Sequence, residues 1–152
     1  MAPLVEPRVL GRTRRRPDII VHSATETVLV DVSLLHPLSP SYVATNHADD
    51  ARREQRIIQQ RELRKRNKYD GMAKQYDGGR VAPFVVDAYG AFGQGAEEFV
   101  RWVAAAAVAN GCVERDADFR SLAFGRIAVA VQRGNVELLD SALVRVRQAR
   151  RA

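Results

Sequence analysis

Cysteine is nearly missing from this chain of 152 residues, where Cys112 stands alone. No disulfide can close within the chain and a cysteine metal site is not expected, which suits a reducing compartment. Long apolar runs are missing as well. The longest, "FVRWVAAAAVANG", carries Arg101 and is too short to cross a bilayer. The N-terminus lacks the apolar core of a secretory signal, so neither a membrane location nor secretion is expected. No internal repeat is present. His22, His36 and His47 have no spacing that ties them to one another or to Cys112, so nucleophilic hydrolysis finds no constellation here.

What the chain has in excess is positive charge. Its formal net charge is +6, which favours an anionic partner, nucleic acid first. Hydrophobic residues make up 46%, enough for a real core, and the length suits one domain.

Three short strands are expected in the first part of the chain: "LVEPRVL" (Leu4 to Leu10), "PDIIV" from Pro17, and the β-branched "ETVLVDVSL" from Glu26. An arginine-rich turn joins the first two, and "HSATE" joins the second to the third. Pro37 and Pro40 break the pattern. A helix is expected from Ala48 to about Tyr76, stopped by "DGGR". "VAPFVVDAYG" reads as a strand buried on both faces, as a parallel strand would be. A helix from Gly95 ends near Gly111, and two more follow, split at Gly134-Asn135. The glycine-rich "GAFGQG" lacks the lysine of a phosphate cradle and reads as a flexible turn. The expected order is β-β-β-α-β with helices after it, an α/β fold with a four-stranded mixed sheet and a right-handed crossover.

Two aspartates stand out. Side chains alternate along a strand, so Leu29, Asp31 and Ser33 share one face of the third strand. A carboxylate amid such apolar neighbours is costly unless paired. Asp18 opens the neighbouring strand, and a hairpin would bring both acids to one end of the sheet. Two converging carboxylates suit a hard divalent cation, Mg²⁺ or Mn²⁺. The plainer alternative is that Asp18 caps a turn and Asp31 pairs with an arginine.

The helix bears on that choice. At 100° per residue, Ala51, Ile58, Tyr69, Met72 and Tyr76 fall within about 40° of Lys65. Lys65 is therefore expected in the middle of the apolar stripe, facing the sheet, with Glu62 at the stripe's edge and Lys68 on its other flank. Such a lysine needs a carboxylate or a phosphate, unless it snorkels to water. The surrounding "RREQRIIQQRELRKRNK" holds eight basic residues against two glutamates. Arg12, Arg14, Arg15 and Arg16 before the first aspartate, with Arg61 and Arg64 on the helix, are candidates for phosphate contacts without sequence preference. A solvated helix face accounts for part of this charge equally well.

Taken together, "EPRV", "RRPDIIV", "VLVDVSL", Lys65-Arg66-Asn67-Lys68-Tyr69 (K-x-x-K-Y) and "VAPFVVDAYGAFG" resemble a known pattern. The series is similar to the restriction-like PD-(D/E)XK endonuclease domain of non-LTR retrotransposon proteins, over roughly Glu6 to Gly93. The resemblance implies a PD-(D/E)XK core at residues 1–111, with a helical extension packed on it at 112–152. It implies a Mg²⁺- or Mn²⁺-dependent DNA endonuclease that nicks double-stranded DNA. Asp18 and Asp31 match the metal-binding acids, and Lys65 or Lys68 the catalytic lysine that this family carries on the helix. Position 33, where the strand lysine would stand, is serine. Tyr69 would pack beside the site. The remainder of a retrotransposon protein and its RNA are implied as further partners. The location would be nuclear for genomic DNA and otherwise cytoplasmic. Two other expectations remain open: a decayed, non-catalytic nucleic-acid-binding module, and a protein-interaction domain built on the C-terminal helices, whose plainer role is to cover the sheet.

Overall fold

The computed structural model describes residues 16–43 and 53–149. Its elements are β1 (Ile19–His22), β2 (Thr27–Leu35), α1 (Pro40–Val43), α2 (Arg53–Ala73), β3 (Gly79–Asp87), α3 (Gln94–Ala109) and α4 (Asp116–Ala149). The fold is α/β, with a three-stranded mixed sheet in the order β1-β2-β3. The expected strand at Leu4 to Leu10 and the arginine turn after it lie outside the described residues. Among the described residues no helix is long and apolar enough to cross a membrane.

β1 and β2 form an antiparallel hairpin with Ile19 opposite Val30 and Ile20 opposite Leu29. Ser23 closes its turn: the backbone N–H groups of Thr25 and Glu26 both donate to Ser23 Oγ, at 3.3 and 3.0 Å. β2 then pairs in parallel with β3, Asp31 opposite Pro83. Parallel neighbours need a crossover, and α2 supplies it. Pro83 is tolerated because it sits on the outer strand of this sheet. The next outward-facing carbonyl, Val85 O, accepts from Gly93 N–H at 2.9 Å.

α2 lies on one face of the sheet and runs against the direction of β2. A strand advances about 6.6 Å in two residues and a helix about 6 Å in four, so the two repeats stay in step. Leu35 packs with Ile57, Ile58 and Val85 at one end. Leu29 packs with Ala73 and Ile20 at the other, beside Met72 and Tyr76. Between these apolar clusters the same strand face presents Asp31 and Ser33, and the same helix face presents Arg61 and Lys65.

The chain divides into two compact units. One holds the sheet, α1, α2 and Phe92–Phe99; the other holds Ala88–Ala91 and the chain from Val100 onward. Two sequence expectations need correction. Pro40 opens a short helix instead of only breaking the chain, in keeping with the preference of proline for a first helical position. α4 continues unbroken through Gly134-Asn135. A helical glycine costs only about 1 kcal/mol relative to alanine. Asn135 lies within the helix, and its side chain donates to Ala88 O at 2.8 Å.

Candidate functional site

The site is built where β2 and α2 face each other. Asp31 is buried in the middle of β2, with its side chain 5% exposed. Lys65 reaches across from α2 and donates to Asp31 Oδ2. The Lys65 side chain is 14% exposed, so its ammonium pairs inside the fold instead of snorkelling to water. Lys68 stands one helical turn further on, its Nζ 3.6 Å from Asp31 Oδ1. Burial alone would raise the Asp31 carboxyl. The hydrogen bond from Lys65, the nearby Tyr69 hydroxyl and the charges of Lys65 and Lys68 outweigh it, and hold the group below its ordinary value.

Among the described residues Tyr69 is the largest fully buried side chain. Its hydroxyl accepts from Lys68 Nζ at 2.6 Å and donates to Arg16 O at 2.6 Å. The Lys68 ammonium also lies 4.4 Å from the centroid of the Tyr69 ring. Tyr69 thereby ties α2 to the segment that leads into Asp18. Asp18 precedes Ile19, the partner of Val30, so the hairpin register carries it to the level of Asp31. Asp18 is exposed, and its Oδ2 accepts from Val32 N–H at 2.6 Å, replacing the strand that β1 no longer supplies there. Asp18, Asp31, Lys65 and Lys68 are thus brought to one level of the sheet.

The predicted phosphate-contact residues divide. Arg12, Arg14 and Arg15 lie outside the described residues. Arg16 and Arg64 are exposed. Arg61 is half-buried on the inner face of α2, and its Nε donates to Ser33 Oγ at 2.8 Å. The helical projection that selects Lys65 also places Arg61 within about 40° of it, a signal that the sequence reading did not use. The Arg61 guanidinium thus reaches Ser33, two residues beyond Asp31 on the same strand face. Among the described residues it forms no ion pair with a carboxylate.

The sequence places Glu62 at the edge of the stripe but shows no partner for it. It is buried, and its Oε1 accepts from Gly95 N–H at 2.8 Å, at the N-terminus of α3. A Cβ at Gly93 would lie 2.2 Å from Glu62 Oε1, and one at Gly95 2.5 Å from Pro83 O. Gly93 and Gly95 of "GAFGQG" therefore make room for a carboxylate and a strand, a role beyond that of a turn, whereas Gly90 lies in the turn after β3 with a positive φ. Burial raises the Glu62 carboxyl above its ordinary value, and Glu98 and Glu97 add to this. The Gly95 N–H and Arg66 oppose the shift without cancelling it.

Two carboxylates at one level suit a hard cation, since Mg²⁺ is commonly held by one or two carboxylates together with substrate phosphates. Lys65 competes for the same oxygen of Asp31. Among the described residues no group of three or more His, Cys, Asp or Glu side chains gathers to hold a metal ion. Around the site three cations (Arg61, Lys65, Lys68) face two carboxylates, an excess that favours an anion. The chain matches no family model, and comparison with curated proteins and with solved structures yields no match to either.

Proposed function

We propose that this chain is a metal-dependent DNA endonuclease domain of the restriction-like PD-(D/E)XK type, akin to those of non-LTR retrotransposon proteins, that nicks double-stranded DNA. One observation carries the reading: a helix-borne lysine, Lys65, meets a strand carboxylate, Asp31, at the level of a second acid, Asp18. Asp18 and Asp31 would hold Mg²⁺ or Mn²⁺. A cation bound there would polarise a phosphoryl oxygen and lower the pKa of a coordinated water. Lys65, released from Asp31 towards an arriving phosphate, would stabilise the charge that develops on it or orient the attacking water. The exposed basic side chains of α2 would hold the duplex through its phosphates. Acting on genomic DNA, the domain would work in the nucleus.

A second reading, DNA binding without cleavage, draws on the excess of cations over carboxylates and on the occupation of Asp31 by Lys65. Supercoiled plasmid with Mg²⁺ distinguishes the two. The first reading expects nicking that EDTA abolishes and that Asp31→Asn reduces by about a hundredfold or more. The second expects salt-sensitive binding, indifferent to EDTA, with no nicking. Equal nicking by the parent and the Asn variant would remove the proposed mechanism.

A further inference from the structure

α4 keeps an apolar seam on its surface. Leu122, Val129, Val136 and Leu143 recur at intervals of seven, and Leu139 and Val146 follow the last two at a spacing of three; each is half exposed or more. An α-helix has 3.6 residues per turn, so a repeat held at seven matches the surface of two helices wound around each other. A helix that merely lies on a sheet has no need of that interval.

We infer that α4 pairs with α4 of a second copy of this chain as an antiparallel two-helix coiled coil. The charges beside the seam select both the partner and its direction. Arg133 and Asp140 occupy the same flank, each four residues after a seam valine. An antiparallel pair centred between Val136 and Leu139 sets Arg133 of each copy beside Asp140 of the other, so the contact occurs twice. A parallel pair sets Arg133 beside Ala128, which is uncharged. In the antiparallel alignment Val136 meets the partner's Leu139 and Val129 meets the partner's Val146. Gln132, whose amide donates to Ala88 O at 3.3 Å, meets the partner's Leu143. Arg126 then faces the partner's Arg147 at the ends of the overlap, where solvent screens the repulsion. The paired length is about 24 residues, or roughly 36 Å of helix.

Analytical ultracentrifugation of the full chain over on the order of a hundredfold dilution tests this directly. The expected result is a monomer–dimer equilibrium. Val136→Lys combined with Leu139→Lys converts it to monomer with its far-ultraviolet circular dichroism retained, because both side chains are exposed in the single chain. Asp140→Arg weakens dimerisation about tenfold, through two contacts at once, and adding Arg133→Asp restores it. A monomer throughout the dilution overturns the inference. A dimer that ignores both the lysine pair and the charge exchange overturns it too, since the contact then lies elsewhere. Retention of the dimer's strength by Asp140→Arg alone overturns the antiparallel alignment.

Discussion

Lys65 and Asp31, thirty-four residues apart, meet between α2 and β2 in a polar stretch flanked by two apolar clusters. Apolar clusters close both ends of that stretch, so the pair is held in a slot of reduced dielectric whose contents must balance.

The first prediction follows from that balance. Asp31→Ala leaves Lys65 and Lys68 without their carboxylate and is expected to cost about 3 kcal/mol. Lys65→Met leaves Asp31 with Lys68 and Tyr69, and costs less. The double variant loses less than the sum of the two, with a coupling of about 1–3 kcal/mol in urea unfolding. The pH dependence has a definite sign. The Asp31 carboxyl is held below its ordinary value in the fold, so its contribution is complete above the unfolded value of about 3.9. It is lost as pH falls through the lowered folded value. The stability advantage of the parent over Asp31→Asn is therefore expected to persist from neutral pH to about pH 4 and to shrink below it. An advantage unchanged in strong acid would contradict the pairing.

Asp18 separates structure from chemistry. Its Oδ2 holds Val32 N–H at 2.6 Å. Asp18→Asn keeps an acceptor for that bond, so stability changes by less than about 0.5 kcal/mol. Asp18→Ala leaves the N–H without this acceptor and is expected to cost about 1 kcal/mol. If Asp18 is a metal ligand, both variants lose nicking equally despite their different stabilities. Nicking that follows stability instead would reduce Asp18 to a strand-end acceptor.

Arg61 supplies a third test. It is half-buried, oriented by Ser33, and one helical turn before Lys65. On the reading that a phosphate lies at this end of the site, Arg61→Gln lowers the slope of log affinity against log salt by about one. Ser33→Ala, which leaves the charge in place, lowers affinity without changing the slope. These effects on binding are expected in the Asp31→Asn background as well, so they do not depend on cleavage.

The periods of strand and helix made the centre of this site legible. Asp31 is fixed by alternation along β2, and Lys65 by the 3.6-residue stripe of α2. Each element reports its own face, and the buried carboxylate of one face meets the lysine of the other. Arg61 lay within the same arc of the helix, but in a segment so basic that one inward arginine looked like the outward ones. Gly93 and Gly95 were not legible. The side chain that needs their missing Cβ atoms is Glu62, about thirty residues earlier, and no local pattern links them. Gly134-Asn135 misled for the same reason. The partner of Asn135 is Ala88 O, forty-seven residues away, so a pair that looks like a helix stop is instead a tether.

Glu62 offers the last prediction. Its carboxyl is raised above the ordinary value, chiefly by burial, so the folded state holds its proton more tightly than the unfolded state does. The associated stability is complete below the unfolded value of about 4.3 and is lost as pH rises through the folded value. At neutral pH the charged Glu62 therefore weighs against the fold, even though Gly95 N–H bonds it at 2.8 Å. Glu62→Gln keeps that acceptor and removes the buried charge. The Gln variant should melt higher than the parent at pH 7 and lose its advantage near pH 4, read by thermal unfolding at each pH. Gly93→Ala acts in the opposite direction. Its methyl would lie 2.2 Å from Glu62 Oε1 and 2.8 Å from Ile58 Cγ2, a crowding expected to cost about 1–3 kcal/mol. Truncating the carboxylate with Glu62→Ala should recover part of that loss, because it removes the nearer of the two obstacles. Full additivity of Gly93→Ala and Glu62→Ala would show that the glycine is not there to accommodate the acid.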